Sequence, residues 1–271
     1  MKQINQAPLV LTAIFLVLIA CSSLSNTPVT PAQPAVKDTP MTAAPSQPAD
    51  QANDVTFKTP EETITYYLDG VAQNNLSKIL QACAINEMSG KFNFAYHVER
   101  LGGVMSPGQF LSPTDYAFYS DINKVTVSSQ ILSQVKFFAY GLLSSEKVGD
   151  GSLILNMDPE RVNKFIKDVD PTKLSNIVVK KISLPNKTLM SDPKYIENAA
   201  KSASLYGADE STERVALFSF EQSYYYIGFT LLRYGENWKI SSQSSPLANT
   251  NVLGTPIKIT VEGFDSMNNS Q

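Results

Sequence analysis

Cysteine, histidine, carboxylate and tyrosine side chains are where this 271-residue chain could do chemistry, and the first two are scarce: Cys21, Cys83 and His97. Cys83 and His97 would act as nucleophile and base only if the imidazole lowered the thiol pKa and a third group oriented the ring. Their spacing supplies neither condition. Cys83 reads as a small hydrophobe on a helix, and His97, inside Phe94-Ala-Tyr-His-Val-Glu-Arg100, as part of a partly solvated helix face. Asp158-Pro-Glu-Arg161 opens a helix, and Asp168 and Asp170 precede Pro171. These acids are too few and wrongly spaced for a calcium loop, and read as solvated helix ends. There is no Gly-x-Ser-x-Gly elbow, no Ser-x-x-Lys with its supporting motifs and no glycine-rich phosphate loop. Gly102-Gly103 and Gly149-Asp-Gly151 read as a helix stop and a turn.

The tyrosines are more informative. Tyr224 to Tyr234, the turn Gly235-Glu-Asn237 and Trp238-Lys-Ile240 read as a long hairpin. Strand alternation puts Tyr225, Ile227, Phe229 and Leu231 on one face, expected as core. The other face carries Tyr224, Tyr226, Gly228, Thr230, Leu232 and Tyr234. Phenols mixed with a glycine and a threonine suit either the wall of a polar-tipped cavity or a half-exposed surface.

Composition removes several function classes. With 22 Lys+Arg against 25 Asp+Glu and a net charge of −3, there is no clustered basic footprint, so nucleic acid is not an expected partner. Two cysteines and one histidine cannot build a zinc ribbon, a three-histidine site or a disulfide framework, and no metal or cofactor is expected.

The N-terminus carries an address. After Lys2 comes the apolar run Leu9-Val-Leu-Thr-Ala-Ile-Phe-Leu-Val-Leu-Ile-Ala20. As a helix it would rise about 18 Å, short of the roughly 30 Å hydrocarbon layer, so residues 1–20 read as an export signal that is cut. The run ends in Leu18-Ile-Ala-Cys21, which resembles the bacterial lipoprotein box. That resemblance implies a diacylglyceryl thioether on Cys21, cleavage before it, and a membrane partner held through the lipid on the extracytoplasmic side of the cell membrane or outer membrane. Two acyl chains hold a membrane stably where one does not. Residues 21–54 follow as a tether rich in Pro, Thr and Ala: six of the 33 residues from Ser22 to Asp54 are proline. Such a segment buries too little apolar area to order itself and would reach about 100 Å at most when extended.

Residues 55–271 remain, enough for a folded α+β domain with a substantial core. Thr59-Pro-Glu-Glu62 is a helix start: an N-cap, a proline at the first helical position and an acid at the third. Ile64, Tyr67, Leu68 and Val71 give that helix an apolar face, and Asn74-Asn75 ends it. A second short helix carries Leu76, Ile79, Leu80 and Cys83, a third spans about 93–101, and a longer one about 121–143, with Ile122, Val125, Leu132, Val135, Phe138 and Leu142 as its stripe. Residues 176–184 and 214–220 read as strands around a capped helix at about 192–205.

This order resembles extracytoplasmic lipoproteins of the nuclear transport factor 2-like, or cystatin-like, cone superfamily. The matching motifs are the Thr-Pro-Glu-Glu helix with Tyr66-Tyr67-Leu68 and the hairpin ending in Gly235-Glu-Asn-Trp-Lys-Ile240. The resemblance implies N-terminal helices packed on a curved antiparallel sheet around a pocket; the middle, roughly 90–210, is longer than that pattern requires, matches no motif of it, and reads as an elaborated helical segment or a different fold. Such a pocket would be lined by Tyr224, Tyr226, Tyr234 and, from the first helix, Tyr67. Two readings stay open: a non-catalytic module holding an envelope protein, a wall polymer or a small molecule, and a cone-fold hydrolase or isomerase with one acid or base in the tyrosine-lined cavity. A third is a structural protein that associates through a sheet edge.

Overall fold

Thr59 accepts a hydrogen bond from the Glu62 amide at 3.1 Å and caps helix α1 (Pro60–Ala72). The Glu62 carboxylate reaches back to the Lys58 amide at 2.8 Å, so the capping pattern closes one residue before the cap. This computed structural model describes residues 55–102, 116–146 and 158–269, all within one compact unit, Ala52–Gln271. The export signal 1–20, Cys21, the tether 21–54, Gly103 and the Gly149–Gly151 turn lie outside the described residues.

Asn74 takes a left-handed conformation (φ 53°), a position asparagine tolerates, and turns the chain into α2 (Leu76–Gln81), whose cap is Asn75. Cys83 is not on that helix, as its spacing had suggested. It follows α2 in a parallel bridge to Ile240, so the chain is pulled straight before α3 (Ile85–Gly90), which apolar periodicity does not announce. Then come α4 (Phe94–Arg100), α5 (Ala117–Leu143), α6 (Pro159–Asp168) and a 3-10 turn (Pro171–Asn176), followed by β1 (Val178–Ser183), α7 (Lys187–Met190) and α8 (Pro193–Leu205). Long strands β2 (Glu210–Phe220) and β3 (Ser223–Tyr234) form the centre, and β4 (Asn237–Ser242), β5 (Ile257–Ile259) and α9 (Val261–Asn269) complete the described chain.

The fold is α+β: helices packed on a five-stranded antiparallel sheet ordered β1-β2-β3-β4, with β5 also pairing β3. β4 and β5 share one edge of β3, at residues 230–234 and 224–226 respectively, and the chain between them crosses the notch at Phe229 and Gly228. The outer edge, β1, carries a bulge between Val179 and Lys181 with exposed Lys180 and Lys181, features that blunt edge-to-edge pairing.

On one face of the sheet, Phe218, Ile227, Phe229 and Leu231 meet Tyr67 and Leu68 of α1 and Ile131 and Phe138 of α5, all buried. The expected core face of the hairpin is thus correct. Tyr67 meets Phe229 edge-on at 5.6 Å, and Phe138 lies 5.4 Å from Phe218. The helix-to-sheet interior is filled by these rings. Leu232, assigned by alternation to the polar face, is also fully buried in this cluster. A register shift between Thr230 and Leu231 in the β3–β4 ladder accompanies that departure from simple alternation.

The α5 stripe is rotated from the expected one. Asn123, Val127, Ile131, Gln134, Phe138 and Leu142 face inward, and Val125 is 69% exposed. Gln134 lies within this buried stripe. Its Oε1 accepts the Gln243 amide at 2.9 Å, and its Nε2 donates to Ser242 Oγ and to the Val252 carbonyl, both at 2.9 Å. With these bonds made, the polar side chain can be buried among the apolar residues of the stripe.

Candidate functional site

The other face of the sheet is built differently. Val215 and Leu217 of β2 and Tyr226 of β3 pack against Ala248 and Phe264, a small cluster roofed by the turn 245–250 and by α9. The turn can sit there because residue 228 is glycine: a Cβ would overlap Ser245 Cβ and Thr250 Oγ1 and stand 2.6 Å from Ser245 N. Above this cluster, toward the start of β2, a cleft of about 470 Å³ opens between α8, the β2–β3 ladder and the turn. Tyr195, Asn198, Ala199 and Ser202 form its helical wall, since these spacings fall on one helix face. Ser211, Glu213 and Thr230 form its floor, with Glu213 and Thr230 paired across the strands.

Glu213 is the chemical centre of the cleft. It is only 7% exposed, and its Oε2 accepts from Ser245 Oγ and, at 3.1 Å, from the Leu247 amide. Its carboxylate therefore holds the turn to the sheet. Thr230 Oγ1 donates to the Ser244 carbonyl at 2.8 Å, a second tie to the same segment. Burial, and then the Glu213 charge, push the Tyr195 hydroxyl well above the usual phenol range, against a smaller opposing effect of Arg214 and of a hydrogen bond from the Glu213 backbone. Arg214 itself binds Glu61 Oε1 at 2.6 Å and Thr212 Oγ1 at 2.8 Å.

The four tyrosines expected to share a pocket lie in four different surroundings. Tyr67 is fully buried in the helix-packed core and donates to Gln243 Oε1 at 2.6 Å. Tyr226 is buried on the opposite face against Phe264 and donates to the Ala248 carbonyl at 3.3 Å. Tyr224 is 38% exposed where β3 pairs Ile259 of β5. Tyr234 donates to the Tyr206 carbonyl at 3.2 Å, with the Lys91 ammonium 4.9 Å from its ring. Residues 224 and 234 are about 33 Å apart along an extended strand, too far to line one cavity, and Tyr67 faces the other side of the sheet. Yet the cleft does lie on the face of β3 that carries Tyr226, at Thr230. Glu213 was missed because the second strand was expected to start at Arg214, one residue too late to place an acid in register with Val215 and Leu217.

The remaining candidates are structural. Cys83 Sγ donates to the Ile79 carbonyl at 3.3 Å, and burial pushes its thiol up, offset by Lys239 and reinforced by Glu87. His97 packs its ring 5.3 Å from Phe92. Among the described residues the charged groups that act on the thiol are Lys239 and Glu87, not His97, so the geometry assembles no thiol-imidazole pair. Asp158 and Asp170 cap α6 and the 3-10 turn through the Glu160 and Thr172 amides, each at 2.9 Å, and Asp168 pairs with Lys164. Two further cavities, about 310 Å³ beside Lys239 and Glu87 and about 520 Å³ along Val125 and Leu132 of α5, lie elsewhere. Among the described residues no group of three His, Cys, Asp or Glu converges, and no helix is long and apolar enough to cross a membrane.

No family model and no curated protein matches the chain. A solved structure does: the crystal structure of a cystatin-like protein from Ruminococcus gnavus ATCC 29149 superposes with a TM-score of 0.51 at 20% identity, over 74% of this chain and 44% of that one. The chain thus spans under half the length of that protein. At this identity the likeness establishes the fold, and it agrees with the cone-type architecture implied by the helix and hairpin motifs.

Proposed function

We propose that this is a lipid-anchored extracytoplasmic protein whose cone-type domain binds a ligand or partner at the cell envelope without transforming it. One observation carries the non-catalytic part: the space between α1, α5 and the sheet is filled by Tyr67, Phe138, Phe218 and Phe229, the region where a cone-fold enzyme would keep its acid or base. Support for the anchor comes from the brevity of the apolar run before Cys21 and its Leu-Ile-Ala-Cys end. Anchoring through Cys21 puts the domain on the extracytoplasmic side of the cell membrane or outer membrane, within reach of an envelope protein, a wall polymer or a small molecule.

The test is mass spectrometry of the mature N-terminus with fatty-acid labelling in cells. A diacylglyceryl mass on Cys21, lost in Cys21→Ala, is the expected result; an intact, unacylated Met1 would overturn the reading. A second reading, a hydrolase or isomerase, is favoured by the buried Glu213 carboxylate sharing a cleft with the Tyr195 hydroxyl. It ranks second because both donors on Glu213, Ser245 Oγ and the Leu247 amide, belong to the turn that the carboxylate holds.

A further inference from the structure

We infer that the Glu213 cleft binds the protonated primary amine of a small molecule bearing hydroxyl or amide groups; the inference rests on the domain being a binding module and assigns its site. The observation that points to an occupant is a carboxylate only 7% exposed, with no cationic partner among the described residues. Among the described residues no lysine or arginine forms an ion pair with Glu213, and the adjacent Arg214 pairs with Glu61 instead. A carboxylate removed from water is costly unless a cation or a full set of donors meets it.

The set of donors is incomplete on one side. Both hydrogen bonds go to Oε2; Oε1 receives none from a described residue. That oxygen belongs to a residue that lines the cleft. Among the described residues no basic side chain lines it, which disfavours an anionic ligand. One carboxylate among neutral groups falls short of the six or more oxygens a calcium-like ion takes, and a neutral polyol would leave the charge unpaired. An ammonium offers three donors. Oε1 takes one, and hydroxyl and amide oxygens around it can take the others; Thr230, whose proton goes to Ser244, keeps its lone pairs for accepting. Asn198 and Ser202 on the α8 wall stand ready for polar groups on the body of the ligand.

Calorimetric titration of the full chain in detergent tests this, with D-glucosamine and L-lysinamide as probes and N-acetyl-D-glucosamine as the uncharged control. At least one amine binds, and the acetylated sugar binds at least about tenfold more weakly, the worth of a charge-assisted hydrogen bond. Glucosamine alone binding identifies a hydroxyl-bearing carrier; lysinamide alone identifies an amide-bearing one. Glu213→Gln lowers amine affinity about tenfold or more while its amide oxygen still accepts from Ser245 and Leu247. Should that variant not fold, Ala199→Trp, which fills the cleft without touching the carboxylate, abolishes amine binding with an unchanged melting temperature. Failure of both amines to bind, equal binding of the acetylated sugar, or amine binding that survives either folded variant overturns the assignment. Recovery of the amine with an altered mass would instead overturn the non-catalytic reading and leave the site standing.

Discussion

The two faces of the sheet follow different rules. The face under α1 and α5 is sealed by rings and branched aliphatics contributed from residues 57 to 240, so each side chain there is held by several distant elements. The other face keeps only a small cluster around Tyr226 and Phe264 and relies on polar ties, Glu213 to Ser245 and Leu247 and Thr230 to Ser244, to hold a single turn in place. The difference teaches where stability and recognition are divided. Dense apolar packing fixes the fold, whereas a face held by directional bonds leaves a cleft with a carboxylate beside them.

That division can be broken by substitution. Phe229→Ala removes a fully buried ring and is expected to cost about 3–5 kcal/mol, read as a lowered urea midpoint for the whole domain. Gly228→Ala forces a Cβ into Ser245 and Thr250 and should cost about 1–3 kcal/mol. Its signature is local: amide exchange of residues 245–250 accelerates more than that of α1. Equal acceleration throughout would show that the two faces are not separable. Tyr67→Phe leaves Gln243 Oε1 without its buried donor and should lower stability by about 1–2 kcal/mol without changing the denaturant slope.

Alkaline pH sharpens the comparison further. Burial raises the hydroxyls of Tyr67, Tyr206 and Tyr234 above their ordinary 10.0, so the folded chain keeps these protons longer than the unfolded chain does. Their contribution to stability is complete below pH 10.0 and is lost as pH rises through the higher folded values. Tyrosinate absorbance from these three side chains should therefore appear together with unfolding. The smallest effect belongs to Tyr224→Ala: at the half-open end of β3 it should shift the melting midpoint by the equivalent of about 0.5 kcal/mol or less. A larger shift would mean that this end of the sheet is covered in solution.

Much of the fold was legible because its signals are short-range. Thr59, Asn75, Asn93, Asp158 and Asp192 each cap a helix within three residues of themselves, and alternation around Phe229 is set by the pleat of one strand. The candidate site was not legible in this way. Tyrosines on one side of a strand suggested a shared wall, but their hydroxyls find partners in Gln243, Ala248 and Tyr206, each supplied by a different segment. α5 shows the same limit: its buried side includes Gln134, whose partners lie 108 to 118 residues further along.

The sequence by itself determined the start of the first helix, the long hairpin and the class of fold, since each depends on residues a few positions apart. Only the tertiary structure decided that Tyr67 seals a core, that Gly228 admits a turn, and that Glu213 ends up buried beneath it. A carboxylate's burial depends on which chain segment returns to cover it, and the return of Ser245 to Leu247 over β2 is fixed by packing across more than thirty residues.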